Sequence, residues 1–454
     1  MGQTKDIECE IIRLTSEPKH HLFGFHDLII SNKADDKYLC LEVDTINRPP
    51  LPNELFGVGY VKDGAFVKVG ETTALNYPQG ARLQWVADTN YFTVNNRVEN
   101  VWGTNLYDAA SNKLIDRFET TSHMLSNDGR FAYGLDYARL FRLGGYGYSG
   151  IDDIYANDIA PSKSGITVLD LQTKISKLLV SVREVAEFGN KGKIPGTSHH
   201  YLTHLCLNPS SNRMAFLHRY FMGDGGLMTR LMTIGTDGTN LRCLAQGFLS
   251  HFHWKDDNSI YIFGRANSAV DALRNNLIMS SPILSPMLKI VKKTIKKILN
   301  KEGKSIVPSM SFLMIPDTDT PEISSFAKDI IISDGHPMTC PIDKNWCVND
   351  TYPNENGIRN LMLYNFEQDC RISLGRFKML DEKPDMTLSE QYFVGVDRKI
   401  LKSIVPENLA FTRSGLHCDL HPRWNSLGTK VVFDSIHDGT RQIYSINVKD
   451  IIQN

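Results

Sequence analysis

The segment LHPRWNSLGTKVVFDSIHDGTRQIYSINV, residues 420–448, decides the fold class. It holds a short apolar run, a polar turn, a strand-like run of β-branched and aromatic residues, a turn at Asp-Gly-Thr and another strand-like run. Alternation with period two, bounded by turns of Gly, Asn and Asp, predicts an antiparallel β-meander. Helical spacing of apolar residues is nearly absent, so the segment indicates strands.

The same unit recurs along the chain at intervals of roughly 40–50 residues. Seven copies can be aligned, and they cover residues 25–69, 81–118, 122–179, 204–244, 250–265, 335–366 and 420–448. Each copy predicts one four-stranded blade, so the repeat predicts an all-β, seven-bladed β-propeller that spans 1–454 as a single domain. The run 7–15 is expected to supply the outer strand of the last blade. Two packed β-sandwiches would explain the alternation but not the repeating unit.

The composition sets the class of protein. The chain has 454 residues and a formal net charge of −1, which argues against a nucleic-acid partner. It begins with no signal-like segment, and no apolar run approaches the ~18–20 residues of a membrane span. The eight cysteines show no C-x-x-C pair and are expected to be reduced thiols. These features predict a soluble, cytoplasmic protein.

A basic segment interrupts the repeats within a predicted insertion, 266–308. Residues 284–303 carry five apolar residues at helical spacing and six lysines: Leu284, Leu288, Val291, Ile295, Ile298, Lys289, Lys292, Lys293, Lys296, Lys297 and Lys301. This pattern predicts a basic amphipathic helix that binds a membrane surface, a polyanion or an acidic partner. Binding to a membrane would place the protein at its inner face. A helix packed on the propeller, with a solvated lysine face, explains the pattern equally well.

Histidines occupy equivalent positions in most repeats. The residues that open the first strand of each repeat are His26, Arg82, His123, His204, His251, His336 and His421. First strands line the central channel of a propeller, so these side chains are expected to meet at its mouth. Any single one could cap backbone groups between blades, but the set favours a metal or acid–base centre.

Three potential ligands precede the last repeat. If His417, Asp419 and His421 lie on a strand, their side chains share one face, because the side-chain period is two. Together with His251 or His336 they would form a nitrogen and oxygen ligand set, which suits a divalent metal of the Mn or Zn type.

A second group of functional side chains lies in DYARLFRLGGYGYSG, residues 136–150. Arg139 and Arg142 could clamp a carboxylate, and Tyr137 could act as an acid or base. Arg219 in AFLHRYF is expected to face the channel as well. A structural loop with Arg–Asp pairs explains the first group equally well. Phosphate-loop, nucleophile-elbow and H-E-x-x-H motifs are absent.

Four segments resemble the oligogalacturonate lyase family and related propeller-type polysaccharide lyases with TolB-like repeats. They are THLCLNPSSNRMAFLHR (203–219), LSHFHW (249–254), SDGHPMTCPIDKNW (333–346) and DLHPRWNSLGTKVVFDSIHDGTRQIYSINV (419–448). His251 matches the histidine of the family's G-H-E-x-W segment, and His421 matches one histidine of its H-P-H-P segment. The other histidine of that segment is replaced by Asp419, which departs from the family's metal shell.

The resemblance implies a metal-assisted lyase that acts on an acidic oligosaccharide or polysaccharide. A metal or arginine would neutralise a uronate carboxylate, a base would remove the C5 proton, and the 4-linked sugar would leave by β-elimination. The implied carboxylate-binding residues are Arg139, Arg142 and Arg219, and the implied acid–base residues are His204, His123 and Tyr137. The implied metal ligands are His251, His336, His417, Asp419 and His421.

Two other functions fit the sequence. A non-catalytic propeller in a membrane-associated glycan-synthesis assembly would use the lysine-rich helix 284–303 as its anchor. A hydrolase or transferase would need a pair of carboxylates, for which Asp27, Asp136 and Asp350 are candidates.

Overall fold

The backbone is mostly β-strand and forms six sheets in the computed structural model, which describes residues 2–196, 198–222, 226–266 and 309–453. The prediction of a mostly β protein is therefore confirmed. Strands are numbered in chain order, beginning with β1 (Gln3–Asp6) and β2 (Ile11–Arg13), which pair with strands near the C-terminus.

Each of the first three sheets is a four-stranded antiparallel meander. The first contains β3 (His20–Leu22), β4 (Tyr38–Val43), β5 (Phe56–Lys62) and β6 (Ala65–Thr72). The second contains β7 (Gln84–Trp85), β8 (Tyr91–Val98), β9 (Val101–Asp108) and β10 (Lys113–Phe118). The third contains β11 (Met124–Leu125), β12 (Phe131–Gly134), β13 (Gly165–Asp170) and β14 (Ile175–Ser181). The first strand of each of these sheets has only two or three residues, and irregular backbone precedes it.

The fourth sheet has seven strands because one long strand belongs to two meanders. It contains β15 (His200–Leu207), β16 (Arg213–Phe221), β17 (Leu227–Gly235), β18 (Arg242–Trp254), β19 (Ser259–Ala266), β20 (Ser311–Pro316) and β21 (Ser324–Phe326). The first half of β18 pairs with β17 as far as Gly247, and the second half pairs with β19 from Gly247 to Trp254. Two successive repeats of the sequence thus share this one strand.

The last two sheets combine C-terminal meanders with the N-terminal strands. The fifth contains β22 (Met338–Thr339), β23 (Trp346–Asp350), β24 (Ile358–Asn365) and β25 (Cys370–Lys378), to which β1 adds in parallel. The sixth contains β26 (Arg423–Trp424), β27 (Lys430–Ser435) and β28 (Gln442–Asn447), and β2 is its outer, antiparallel strand. The pairing of β1 was not foreseen from the sequence.

Apolar side chains fill the spaces between neighbouring sheets. Leu39, Phe92 and Val432 belong to one buried cluster, which joins the first, second and sixth sheets. Val348 and Phe433 belong to another, which joins the fifth and sixth sheets. Because the first and last sheets share a core, the two ends of the chain are held together by burial of apolar surface.

A tryptophan connects one meander to the one before it at three places. The indole N–H groups of Trp85, Trp254 and Trp424 donate to the carbonyl oxygens of Ile30, Cys206 and Met338 over 2.8, 2.9 and 3.0 Å. Each indole is thereby satisfied where it is buried. These bonds fix the spacing of the first strands that carry the candidate site.

Six short helices occur among the described residues. They are α1 (Tyr137–Arg142), α2 (Val182–Glu187), α3 (Ser389–Tyr392), α4 (Arg398–Ser403), α5 (Pro406–Arg413) and α6 (Lys449–Ile452). The segment that carries α3, α4 and α5 packs against α1 through a cluster of Phe141, Val396 and Ile400. None of the helices in the described ranges is long and apolar enough to cross a membrane. The predicted basic helix 284–303 lies outside the described residues.

Candidate metal and substrate site

Four histidines from four separate repeats converge around one phenylalanine. The ring of Phe25 lies 5.0 Å from His204, 6.0 Å from His251, 6.0 Å from His336 and 5.2 Å from His421, measured between centroids. The rings of His336 and His251 are 4.3 Å apart, and those of His336 and His421 are 4.4 Å apart. His204 lies on β15 and His251 on β18, whereas His336 and His421 precede the short strands β22 and β26, and the fold brings all four side chains together.

His336, Asp419 and His421 form a compact group of potential ligands. One ligand atom from each lies within 4.8 Å of the others, and all three residues are buried. Oδ2 of Asp419 is 3.9 Å from Nε2 of His336 and 3.8 Å from Nε2 of His421. Within the part of the chain that the structure describes, this is the one group of its kind.

Several buried nitrogen atoms in and beside this group have no hydrogen-bond partner among the described residues. Both ring nitrogens of His421 and both of the neighbouring His26 are buried and unpartnered. Buried polar groups are normally satisfied, so such a concentration indicates an ion or ordered water. Ligands bound at about 2.0–2.2 Å from one ion are roughly 3–4.4 Å apart, which matches the observed separations. The residues fit a divalent metal with nitrogen and oxygen ligands.

Carboxylates outside the compact group orient His336, which belongs to it, and His251, which lies next to it. Nδ1 of His336 donates to Oδ1 of Asp350 over 2.8 Å, and Nδ1 of His251 donates to Oδ1 of Asp334 over 3.2 Å. A proton on Nδ1 leaves Nε2 as the lone-pair donor of each ring. Burial lowers the pKa of His336, but Asp350 and Asp419 outweigh it, and the pKa is raised overall.

His417 and Arg359 both favour the ionised form of Asp419. Its Nη2 lies 2.7 Å from Oδ1 of Asp419, although not in hydrogen-bond geometry. Burial alone would raise the pKa of this carboxyl, but His417, Arg359 and His336 outweigh it and hold the pKa well below its usual range. Asp419 is therefore ionised at neutral pH and can share its two oxygens between a cation and Arg359.

The predicted strand through residues 417–421 is wrong, although its side chains do meet. The backbone there is irregular, and β26 begins only at Arg423. His421 has a φ of 42°, in the left-handed region, which rules out a regular strand. Nε2 of His417 nevertheless lies 3.7 Å from Oδ1 of Asp419, on the opposite oxygen from His421.

Three of the seven residues that were predicted to line a channel have positive φ. Arg82, His204 and His421 have φ values of 57°, 58° and 42°. Such conformations are uncommon for these residue types and concentrate at functional sites. Of these three residues, His204 and His421 place their rings next to that of Phe25.

Beside the metal group lies a set of side chains suited to an acidic ligand. The ring of Tyr146 is 5.8 Å from that of His204, and the charges of Asp419 and Arg219 both act on its phenol. Nε of Arg219 is unpartnered, and the side chain is partly exposed. Burial lowers the pKa of His204 far below its usual value, and Arg219 lowers it further, so the ring is neutral at pH 7.

Arg139 serves the fold rather than a ligand. All five of its N–H donors are taken, by a carboxylate oxygen of Asp153 and by the carbonyls of His200, Tyr155, Asp158 and Ile159. Its side chain is also fully buried, so no donor remains for a substrate carboxylate.

Arg142 likewise bonds protein groups. Its Nε donates to Asp153 over 2.7 Å, Nη1 contacts Asp397 over 3.2 Å and Nη2 contacts His199 over 3.3 Å. The structure thus favours the Arg–Asp loop that the sequence also allowed. Both arginines tie α1 to neighbouring segments, and these contacts do not support their expected role in binding a substrate carboxylate.

Tyr137 and His123 are buried away from the open side of the site. The Tyr137 hydroxyl lies 2.8 Å from Nδ1 of His123, and its ring stacks on Tyr148 at 4.3 Å. Burial raises the pKa of Tyr137 well above its usual value, and both side chains have no exposed surface. Neither can reach a ligand in this conformation, so their expected acid–base role is not supported by the geometry.

The three carboxylates considered for hydrolysis do not form a pair. Asp27 binds both terminal nitrogens of Arg82, at 2.8 and 2.9 Å. Asp136 caps the N-terminus of α1, and Asp350 orients His336. Each is committed to a different partner.

Sequence reasoning missed four residues of the site: Phe25, Asp334, Tyr352 and Arg359. Arg359 lies at the start of β24 and Asp334 in a loop, so neither stands at a repeat-equivalent position. Tyr352 places its ring 5.6 Å from His336 and 6.1 Å from His251. The Phe-His pair at 25–26, at the mouth of the first repeat, was the available signal for Phe25.

Two solved structures are similar to this chain over nearly its whole length. One is an oligogalacturonate lyase in complex with manganese, with a TM-score of 0.56 and 12% identity, covering 98% of this chain and 95% of that one. The other is an oligogalacturonate lyase from Vibrio parahaemolyticus, with a TM-score of 0.54 and 12% identity, covering 97% and 94%. No protein-family model matches the sequence, and no curated protein sequence matches it. The resemblance to oligogalacturonate lyases expected from the sequence is confirmed at the level of the fold, which is a propeller-type, mostly β architecture.

Proposed function

We propose that the protein is a divalent-metal-dependent carbon–oxygen lyase that cleaves a uronic-acid-containing glycan by β-elimination. The observation that carries the proposal is the buried group of His336, Asp419 and His421, with its unpartnered ligand atoms, beside Tyr146 and Arg219. A ligand set for a cation and an available guanidinium together suit a substrate that carries a carboxylate. The fold shared with oligogalacturonate lyases supports the same chemistry.

His336, Asp419 and His421 would hold the metal, and His251, His26 and His417 lie around this group. Two or more imidazoles and one carboxylate suit manganese or zinc. Bound there, the metal would act as a Lewis acid that withdraws charge from the substrate carboxylate and so acidifies the neighbouring C–H bond.

The chain's own residues would bind the sugar and move the protons. Arg219 would hold the carboxylate, because its side chain is partly exposed and its Nε has no hydrogen-bond partner, although its guanidinium also bonds the Tyr201 phenol. His204 is neutral at pH 7 and would accept the C5 proton at Nε2, provided that the substrate displaces the Gln79 amide, which lies 3.3 Å from that nitrogen. Tyr146, whose pKa is raised by burial, would stay protonated and donate to the leaving oxygen. The rings of Phe25 and Tyr352 would limit access of water.

The architecture belongs to the same proposal. We infer one domain over residues 1–454 that comprises seven blades, with the seven-stranded sheet counted as two. The pairing of β2 with β28 and the core shared by the first and sixth sheets support ring closure. A ring would place all seven channel positions at one mouth.

The proposal is tested by incubating the purified protein, reconstituted with Mn²⁺ or Zn²⁺, with oligogalacturonate and with other uronate polymers. The expected product is a 4,5-unsaturated uronate, detected by its ultraviolet absorbance and by mass spectrometry. Removal of metal by chelation and the substitution His421→Ala should each abolish it. Absence of unsaturated product from every uronate polymer, with metal bound, would contradict the proposal.

A further inference from the structure

Tyr352 has an exposed aromatic ring beside the metal group of His336, Asp419 and His421. Its ring lies 5.6 Å from that of His336 and 6.1 Å from that of His251, measured between centroids. These contacts cover only part of the side chain, and 37% of the surface of Tyr352 is exposed. Within the described ranges, the other exposed aromatic residues have no ring contact with a histidine of the site: Tyr91, Phe188 and Phe248.

The backbone that carries Tyr352 is held on both sides. Pro353 follows it directly, and a residue before proline is restricted to extended backbone. On the other side, Nη1 of Arg359 donates to the carbonyl of Thr351 over 3.2 Å. The turn that leads to β24 is closed by Asn354, whose Oδ1 accepts from two backbone N–H groups over 3.0 Å each. A ligand that packs on a ring held in this way has little loop entropy to overcome.

Tyr352 and the candidate ion are close enough to contact one sugar together. The ring of His336 that touches Tyr352 has its Nε2 3.9 Å from Oδ2 of Asp419. The guanidinium of Arg359 lies 5.7 Å from the centre of the Tyr352 ring and also pairs with Asp419. A uronate in its ring form carries the carboxylate directly on C5 of the sugar ring. A sugar that lies on Tyr352 can therefore turn its carboxylate toward the ion.

The chemistry of an aromatic ring suits one face of a sugar. The face of the Tyr352 ring is apolar and carries partial negative charge, and the C–H groups on one side of a pyranose are apolar and slightly positive. Ligand sites commonly combine such apolar contacts with a few polar groups that fix the orientation. An open-chain sugar acid has the same carboxylate and hydroxyl groups but no flat C–H face.

We propose that Tyr352 is the platform on which a uronate packs its ring, so that the site selects ring-closed sugar acids over open-chain ones. This inference rests on the proposed function, in which the metal group and Arg219 receive the carboxylate. The platform adds a contact to the sugar ring itself, which neither the ion nor the guanidinium supplies. Tyr352 is thus a residue that determines specificity, and it takes no part in proton transfer.

The test compares a locked sugar ring with an open-chain acid. Methyl galactopyranosiduronate and galactonate are titrated calorimetrically into the Mn²⁺-loaded wild-type protein and into variants of Tyr352. In Tyr352→Ala, the Kd for the glycoside should rise about tenfold, because one aromatic stacking contact is lost. The Kd for galactonate should change less than about twofold, because the metal group is intact.

Two further variants separate stacking from other roles of the side chain. Tyr352→Phe should keep the Kd for the glycoside within about twofold of wild type, because stacking does not need the hydroxyl. Tyr352→Leu keeps an apolar side chain beside His336 but has no aromatic face, so it should lose affinity as Tyr352→Ala does. Tyr91→Ala, which removes an exposed tyrosine outside the site, is the control. Metal content and melting temperature should match wild type throughout.

Several outcomes would overturn the inference. An unchanged Kd for the glycoside in Tyr352→Ala and Tyr352→Leu would remove Tyr352 from the binding site. Equal losses for the glycoside and galactonate, or loss of metal from both variants, would mean that Tyr352 only supports the metal group. A tenfold loss in Tyr352→Phe would assign the effect to the hydroxyl. Failure of the wild-type protein to bind the glycoside would also contradict the platform.

Failure of the proposed function would be seen separately, because ligand binding needs no turnover. A wild-type protein that binds the glycoside through Tyr352 but forms no unsaturated product from any uronate polymer would contradict the lyase chemistry alone. A protein that forms the product, but whose Tyr352→Ala variant binds the glycoside as wild type does, would contradict the platform alone.

Discussion

Nδ1 of His336 lies 2.8 Å from Oδ1 of Asp350, and the opposite ring nitrogen lies 3.9 Å from Oδ2 of Asp419. One imidazole is thus held between a carboxylate that orients it and a carboxylate that shares its candidate ion. This is the arrangement in which a histidine keeps the correct tautomer for a metal. The His336–Asp350 pair is fully buried, so its geometry is fixed by the fold.

Asp350→Asn should weaken metal binding without removing a ligand. The amide keeps the size of the carboxylate but not its charge, so the ring of His336 becomes a weaker and less well oriented donor. We expect the Kd for Mn²⁺ or Zn²⁺ to rise about 10–100-fold. Isothermal titration of the chelator-treated protein measures it, with Asp438→Asn, beside the peripheral His437, as the matched control. An unchanged Kd would show that His336 binds no metal.

His421→Ala and Asp419→Asn should each remove most of the bound metal. Both remove a ligand from the compact group, and no other such group exists among the described residues. Metal content per chain after purification, measured by plasma mass spectrometry, should fall from near one toward zero. His437→Ala is the control, because that histidine also lies beside an aspartate but outside the site. Full metal content in both ligand variants would refute this centre.

The substitution Arg359→Met should make the stability of the protein depend more strongly on bound metal. Without the guanidinium at 2.7 Å, the buried charge of Asp419 is offset only by the neighbouring histidines until a cation binds. The metal-free variant should be destabilised by roughly 3–5 kcal/mol. The rise in melting temperature on adding Mn²⁺ should be larger than in wild type, because stabilisation by binding follows RT ln(1 + [L]/Kd). An equal rise in both proteins would mean that Arg359 does not compete with the ion.

Loss of Arg219 should lower the activity, whereas loss of Arg139 should lower the stability of the fold. Arg219→Ala removes a partly exposed guanidinium with an unpartnered Nε, so kcat/KM for a uronate oligomer should fall about 100-fold or more, with little change in stability. Arg139→Met leaves Asp153 and four carbonyls short of donors, so the free energy of unfolding should fall by roughly 3–5 kcal/mol. Urea unfolding and initial rates on both variants separate the roles. The reverse pattern would restore Arg139 as a ligand-binding residue.

The repeat pattern was enough to predict the β architecture, because alternation and turn residues are local properties of each copy. Repeat equivalence also led to His251, His336 and His421, which stand at corresponding places in their sequence repeats and lie close together in the structure. Arg359 could not be predicted, since it reaches Asp419 from a strand with no special sequence position. The structural role of Arg139 could not be predicted for a related reason. Its partners are mostly backbone carbonyls of a loop, and a sequence does not show where those carbonyls lie in space.

Protonation of His200 should lower the free energy of unfolding at acid pH, and the substitution His200→Gln should make this loss smaller. Burial lowers the pKa of His200 to about 4, while the unfolded chain has the ordinary value of about 6.5. Between these values the unfolded state binds more protons, so the free energy of unfolding falls as the pH drops from about 6.5 to about 4. His200 alone should cost about 2 kcal/mol between pH 7.5 and pH 5. Its Nε2 donates to the carbonyl of Pro195 over 2.8 Å, and a glutamine amide can keep that bond without titrating. Urea unfolding at both pH values should therefore show a loss about 2 kcal/mol smaller in the variant than in wild type. Equal losses in the two proteins would mean that His200 titrates normally in the folded state.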